Sequence, residues 1–324
     1  MGSKRAPIAT VKTPGLATSV QDLGRRGAGV FGLSRGGAAD ALSAAVANRA
    51  LANAAHACVL ECTVLGPELI FRGETQIAFA GGAVTALLDG KELAPKIRHA
   101  VAPGMRLRLG PMTGGARVYL AIAGGWRGEP FFGSCATHLT AGAGGYAGRV
   151  LQAGDLLYSE DLAPRSIPPA GPSNDLPFFD SANSAIKFLR VTPGPEWPGE
   201  VGPETFARLA GPFFASQDMS RMGIRLIMKP SGGTGEGNPL TLPSIKSGPV
   251  FPGTVQWPQN NAPILLLCDC QATGGYPRVM QVIEADLPLA GQVRPGDEVW
   301  FRRVTDREAR SHRAMLKAQV PEIF

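Results

Sequence analysis

The chain has 324 residues, 44% of them apolar and 18% charged, which excludes a disordered chain and leaves material for about two domains. Its 42 glycines and 28 prolines demand many turns and short elements, and so favour strands over a helical bundle. The net charge of +6 is scattered, without a basic stripe interleaved with aromatics, which argues against nucleic acid and suits an anionic small substrate or an acidic partner.

No apolar run approaches the roughly 18 residues of a membrane span, and "MGSKRAPIAT" lacks the apolar core of a signal peptide. The five cysteines, Cys58, Cys62, Cys135, Cys268 and Cys270, contain no Cys-x-x-Cys pair. The expectation is a reduced, cytoplasmic chain with no metal site and no membrane contact.

Taken in order, "IATVKTPG" (8–15) reads as a strand stopped by Pro-Gly, with positive φ at the glycine. The stretch "QDLGRRGAGVFGLSRGGAAD" (21–40) follows, with glycines at 24, 27, 29, 32, 36 and 37. Its amides are free to point at a ligand, and Gln21, Asp22, Arg25 and Arg35 add polar groups. The Walker pattern is absent, so a phosphate loop competes with a loop that only frames a buried Asp–Arg pair. "ADALSAAVANRALAN" (39–53) reads as a helix capped by Asp40, with Leu42, Val46 and Leu51 on one side.

"PGMRLRLG" (103–110), "AGDLLYS" (153–159) and "PGDEVWF" (295–301) alternate with period two after a turn, as half-buried strands do. "GSCATH" (133–138) offers a cysteine three residues from a histidine, against the commoner reading of a Gly-Ser turn; His56 and His99 read as ordinary residues. Residues 166–185, rich in proline and serine, read as a linker between lobe 1–165 and lobe 186–324. "LRVTPGPE" (189–196) repeats the opening strand-and-turn, so each lobe is read as a β-barrel or sandwich of short strands.

In the second lobe, "PETFARLAG" (203–211) is a short helix signal. "MSRMGIRL" (219–226) places Arg221 and Arg225 four apart, suited to a carboxylate or to structural ion pairs. "APILLLCDC" reads as an apolar strand with Cys268 and Cys270 on one face and Asp269 on the other. The turn after it carries Gln271, Thr273, Gly274, Gly275 and Tyr276, a polar rim with Asp269. "TDREARSHRAMLKAQ" (305–319) is a helix opened by a Thr305–Glu308 capping box.

Six motifs then stand in order: "TPGLATSVQDLGRRGAGVFGLSRGGAAD", "VLECTVLGPEL", "VYLAIAGGW", "GSCATH", "GTVQWPQNNAPILLLCDCQATGGYP" and "DLPLAGQVRPGD". Together the chain resembles the biotin-dependent carboxyltransferase family, also called allophanate hydrolase subunit 2, from about residue 8 to 304. The resemblance implies a mainly β fold of cyclophilin-like β-barrels in two lobes with a few short helices. It implies a subunit of an ATP-dependent amide or lactam hydrolase, of the type of the C subunit of 5-oxoprolinase, beside an allophanate hydrolase subunit 1 homologue. Alternatives within the family are carboxyl transfer from carboxybiotin, with biotin on another protein, to urea or a related amide, and a non-enzymatic antagonist of a kinase inhibitor.

By motif match, the resemblance implies a site of Gln21, Asp22, Gly24 and Arg25; Asp40 and Asn48; Glu61 and Thr63; Gln256 and Pro258; and Gln271, Thr273, Gly274, Gly275 and Tyr276. Asp22, Arg25, Glu61 and Arg221 are the expected catalytic members, with Asp22 or Glu61 as general base and Arg225 on the substrate. Met219 and Ser220 stand where the family has serine and aspartate, so a carboxylate beside the two arginines is missing.

Overall fold

The computed structural model describes residues 6–160, 178–199, 202–228, 242–243 and 245–323. Within the expected 166–185 linker, residues 166–177 lie outside these. The chain forms two compact units: one of residues 1–25, 36–183 and 322–324, the other of residues 26–35 and 184–321. The glycine-rich stretch is therefore shared, its middle belonging to the second unit.

The first unit is built on strands β1 (Ala9–Thr13), β2 (Ala17–Gln21), β3 (Val59–Thr63), β4 (Glu68–Phe71), β5 (Thr75–Leu88), β6 (Lys91–Glu92), β7 (His99–Val101), β8 (Arg106–Ile122) and β9 (Leu156–Leu157), with helices α1 (Ala41–Ala50) and α2 (Phe178–Asn183). They make one antiparallel sheet in the order β2-β3-β8-β4-β1-β9, with β5 also on β8 and β6 and β7 on β5. The sheet curls into a half-barrel. The pairing of β5 with β8 is interrupted where both carry glycine pairs. Gly81 and Gly82 approach the carbonyls of Arg117 and Gly114 so closely that an added Cβ would sit 2.4 Å from each oxygen. The register shifts there, as bulges require.

The alternation read at 103–110 holds: Leu107 and Leu109 are buried and Arg106 and Arg108 exposed. Beyond residue 115, β8 is buried on both faces, because α1 packs against β5 and β8. Alanine's small size lets α1 sit close, and it is buried nearly all round, not on the single Leu42–Val46 side expected from the sequence.

The second unit contains β10 (Ile186–Pro193), α3 (Pro203–Ala210), β11 (Phe213–Met219), β12 (Gly223–Met228), β13 (Gly248–Pro249), β14 (Thr254–Gln256), β15 (Ile264–Leu266), β16 (Thr273–Gly274), β17 (Arg278–Val282), α4 (Leu287–Ala290), β18 (Glu298–Arg303) and α5 (Asp306–Gln319). Seven strands close a barrel, β10-β17-β14-β15-β12-β11-β18, in which β10 and β18 pair in parallel. Phe213 is fully buried in it, with ring centroids 6.0 Å from Trp257 and 5.6 Å from Phe301. Lys187 is fully buried and held by Asp297 at 3.0 Å. Helix α5 carries the expected reciprocal cap: Glu308 N–H donates to Thr305 Oγ1 (3.2 Å) and Thr305 N–H to Glu308 Oε2 (2.7 Å).

The two Pro-Gly turns differ in their reason for glycine. Gly15 has φ of 73°, as the turn signature predicts. Gly194 does not have positive φ; it is needed because a Cβ there would lie 2.1 Å from the Arg278 carbonyl oxygen. That obstructing group is backbone and cannot yield. Gly194→Ala is expected to destabilise the barrel by about 1–3 kcal/mol, read as a lower urea midpoint at unchanged m-value.

Two further expectations change. The apolar strand before the cysteines ends at Leu266, so Cys268, Asp269 and Cys270 lie in a turn and not on alternating strand faces. His138 does not pair with Cys135: its Nδ1 accepts the Ala141 N–H (3.1 Å), and its ring meets Phe131 edge-on. Among the described residues no helix is long and apolar enough to cross a membrane.

Candidate functional site

In the first unit, the Gln21–Arg25 turn is fastened to the segment 131–136. Asp22 does this from a half-buried position. Its Oδ1 accepts from Gly24 N–H (2.7 Å) and Ser134 Oγ (2.6 Å), and its Oδ2 from Cys135 N–H (2.7 Å). Arg25 reaches the same segment: Nε donates to the Phe131 carbonyl (3.0 Å), a terminal nitrogen donates to the Ala136 carbonyl, and the guanidinium lies over the Phe131 ring. Gln21 is fully buried; its Nε2 donates to Ser19 Oγ (2.9 Å), while its Oε1 has no hydrogen-bond partner among the described residues. A buried amide oxygen without a donor is costly, and marks a place where a further donor would be welcome.

Glu61 and Asp40 belong to a second, deeper network. Glu61 on β3 is 1% exposed. Its Oε2 accepts from Ala39 N–H (2.9 Å) and the Tyr119 hydroxyl (2.9 Å), and its Oε1 lies 3.5 Å from Arg117. Tyr119 in turn accepts the Asp40 N–H (2.7 Å). Burial, with Glu61 and Asp40 nearby, holds the Tyr119 hydroxyl well above its ordinary pKa, so it stays a donor. Asp40 caps α1 through Ser43 N–H (2.9 Å). Asn48 ties α1 to the following loop through the Ala57 carbonyl (2.8 Å) and Asn53 (3.0 Å). Thr63 ends β3, opposite Ala17 and Arg117.

This network decides the phosphate-loop question for this end of the stretch. The N–H groups of Ala39, Asp40 and Ser43 are spent on Glu61, the Tyr119 hydroxyl and the Asp40 carboxylate. With those amides taken and three carboxyl or hydroxyl groups facing them, a nucleotide phosphate does not fit there.

In the second unit, Gln256 ends β14 and is buried, and its Nε2 has no hydrogen-bond partner among the described residues. That amide lies over Gly274, where a Cβ would stand 2.4 Å from it. Gly274 and Thr273 form the short β16, paired with Gly248 and Pro249. Gln271, Gly275 and Tyr276 are exposed around it, and Pro258 is buried. The glycine here clears space for the glutamine side chain.

The arginines in this unit find carboxylates close by. Arg221 forms a two-pronged pair with Asp269, Nε at 2.8 Å and a terminal nitrogen at 3.0 Å. Arg225 lies 4.0 Å from the exposed Asp218. Asp218 and Asp269 thus supply the negative charge that Met219 and Ser220 lack; Ser220 instead shapes the β11–β12 turn, accepting the Met222 N–H (3.1 Å). Elsewhere in the unit, Glu196 accepts from Arg278 N–H (2.8 Å), Nε (2.9 Å) and a terminal nitrogen (2.7 Å), while Arg278 also holds the Pro249 carbonyl (2.9 Å).

These hydrogen bonds hold Glu196 below its ordinary pKa of 4.5. The unfolded chain therefore binds this proton more readily than the folded one. The stability it adds is complete above pH 4.5 and is lost as pH falls through the lower, folded value. Glu196→Gln is expected to flatten that acid limb of a urea-midpoint-against-pH curve, and to leave its slope near neutrality unchanged.

Arg117, Tyr119 and Ser134 complete these networks and escaped the sequence reading. A signal was present: in "RVYLAI" two polar residues sit two apart in an otherwise apolar strand, so they share a face. Register puts that face against Glu61 and Thr63, with Glu61 opposite Tyr119 and Thr63 opposite Arg117.

The family model for the carboxyltransferase domain, subdomain A and B, matches residues 31–303 of the chain. The C subunit of 5-oxoprolinase from Escherichia coli (strain K12) is 34% identical over 305 residues, covering 91% of each chain. The urea amidolyase of Saccharomyces cerevisiae is 32% identical over 93% of this chain, which spans only 17% of that protein. Among solved structures, TTHA0988 superposes with a TM-score of 0.78 at 36% identity, over 93% of this chain and 56% of its own. The urea carboxylase of Kluyveromyces lactis gives a TM-score of 0.85 at 28% identity, over 99% of this chain and 30% of its own.

Proposed function

We propose, from the premise that the chain belongs to the carboxyltransferase domain family, subdomains A and B, that it is a subunit of an ATP-dependent 5-oxoprolinase. One observation carries this reading: the similarity to the C subunit of 5-oxoprolinase runs through 91% of both chains, so the two proteins match as whole units. The partner is an allophanate hydrolase subunit 1 homologue, and the complex works in the cytoplasm on a small lactam.

Opening a lactam needs an activated carbonyl and donors for the oxygen on which charge develops. In the barrel, Gln256 Nε2, the Thr273–Gly275 turn and Tyr276 are the proposed guest contacts, because this buried amide has no partner among the described residues to satisfy it. In the first unit, Asp22 holds the Gln21–Arg25 turn in position. Glu61, buried, bridged to Tyr119 and close to Arg117, holds the residue that leads into α1. ATP is carried by the partner subunits, in keeping with the spent amides at the start of α1.

The test is reconstitution. The purified chain with its partner subunits is expected to consume 5-oxoproline and release ADP; no turnover with any such partner counts against the reading. Within that complex, Gln256→Leu is expected to raise KM for 5-oxoproline about tenfold with little change in unfolding midpoint, since the donor removed serves no acceptor among the described residues. An equal loss of stability and activity would mean the amide is structural.

A second reading is favoured by the urea amidolyase similarity: acceptance of a carboxyl group by urea or a related amide from carboxybiotin on another protein. Urea-dependent discharge of carboxybiotin, without 5-oxoproline turnover, separates the two.

A further inference from the structure

Two of the five cysteines lie far apart in sequence yet meet in the first unit. The sulfurs of Cys58 and Cys135 and a carboxylate oxygen of Asp22 all lie within 4.8 Å of one another. Cys58 and Cys135 line a cavity of about 310 Å³ whose other walls include Asn53, His56, Trp126 and Glu160. Of the two, Cys135 is half-buried and the more accessible, while Cys58 is buried.

The pair is chemically unequal. The proximity of the two thiols draws the Cys135 thiol below its ordinary range and, with burial, pushes Cys58 up. Around the pair, Asp22 and Glu160 oppose thiolate formation at Cys135 and Arg25 favours it. The remaining cysteines are worse nucleophiles. Burial pushes Cys62 and Cys270 up to about 12, and the Cys268 thiol is engaged with the Arg221 carbonyl at 3.8 Å. A metal is a poorer occupant of the cluster: both Asp22 oxygens already accept hydrogen bonds, and among the described residues no fourth ligand joins the three.

We propose that Cys58 and Cys135 are a dithiol oxidised by peroxides, with Cys135 attacking first and Cys58 closing the disulfide. The Cys135 thiolate attacks one peroxide oxygen; an S–O bond forms, the O–O bond breaks, and hydroxide leaves with the electron pair and takes up a proton. The resulting sulfenic acid is attacked by the Cys58 sulfur; the S–S bond forms, the S–O bond breaks, and water leaves with the Cys58 proton. In sum, two thiols and hydrogen peroxide give one disulfide and two waters. The oxidised pair sits one residue from Ser134 and on the very amide that holds Asp22, so it tightens the Gln21–Arg25 turn.

The test uses the full chain and hydrogen peroxide. Treated protein, unfolded and alkylated, is expected to show three reactive thiols in place of five, a mass lower by about 2 Da before alkylation, and a peptide joining Cys58 to Cys135 that dithiothreitol cleaves. In Cys58→Ser the reaction stops at sulfenic acid, trapped by dimedone on Cys135; in Cys135→Ser no disulfide forms and Cys58 remains alkylatable. Five thiols after treatment, a bridge mapped to Cys268 and Cys270, or one-to-one binding of Zn²⁺ that shields both sulfurs from alkylation would each overturn the proposal. The wild-type measurement decides it even where a serine variant folds poorly.

Discussion

Glu61→Ala is expected to lower the unfolding free energy by about 3–5 kcal/mol, the cost of breaking a buried ion pair from one side. The carboxylate is 1% exposed and serves three groups at once: the Ala39 amide, the Tyr119 hydroxyl and Arg117. Alanine leaves the equally buried Arg117 guanidinium without that counter-charge, and takes an acceptor from the residue leading into α1. Urea unfolding measures the loss. The double variant Glu61→Leu/Arg117→Met is expected to recover most of it, because two buried charges leave together. A cost below about 1 kcal/mol for the single change would mean that water already reaches the pair.

Asp22→Ala is expected to act differently: kcat for 5-oxoproline in the reconstituted complex falls about a hundredfold, while the urea midpoint falls less than in Glu61→Ala. Asp22 is half-buried, and the groups it releases are neutral amides and a hydroxyl, so its removal strands no charge among them. What is lost is the three-way tie of Gly24, Ser134 and Cys135 that sets the turn against the segment 131–136. Misplacement of the turn by an ångström is enough for an effect of that size. Asp22→Asn can accept two of the three hydrogen bonds and is expected to retain an intermediate rate. A rate equal to wild type in Asp22→Ala would mean that the turn has no part in turnover.

The parts of the fold that were legible in sequence are those written locally. Asp40 and the Thr305–Glu308 pair announced their helices because a cap is a contact over three residues. Alternation gave the buried faces of residues 107–109 and 299–301 for the same reason. Of the candidate site, the motif residues were legible as types, but not their tasks. Arg25 and Glu61 look like chemistry in the sequence, but what they hold was not legible, because their partners, Phe131, Ala136, Arg117 and Tyr119, lie 56 to 111 residues away. The two long strands β5 and β8 were hidden by Gly81–Gly82 and Gly114–Gly115, which look like turns and fall where the pairing is interrupted. The meeting of Cys58 with Cys135 has no local signature at all.

The parallel seam between β10 and β18 has a consequence for how the chain is made. The staves that shut the barrel are its first and its last, Ile186 pairing with Glu298 and Val191 with Arg303. During synthesis the early stave must wait, its edge bare, until more than a hundred further residues have emerged from the ribosome. Closure of so distant a pair is entropically slow. A ribosome stalled before residue 298 therefore holds an open, sticky sheet, and the cell has reason to shelter this nascent chain with a chaperone until its final strand arrives.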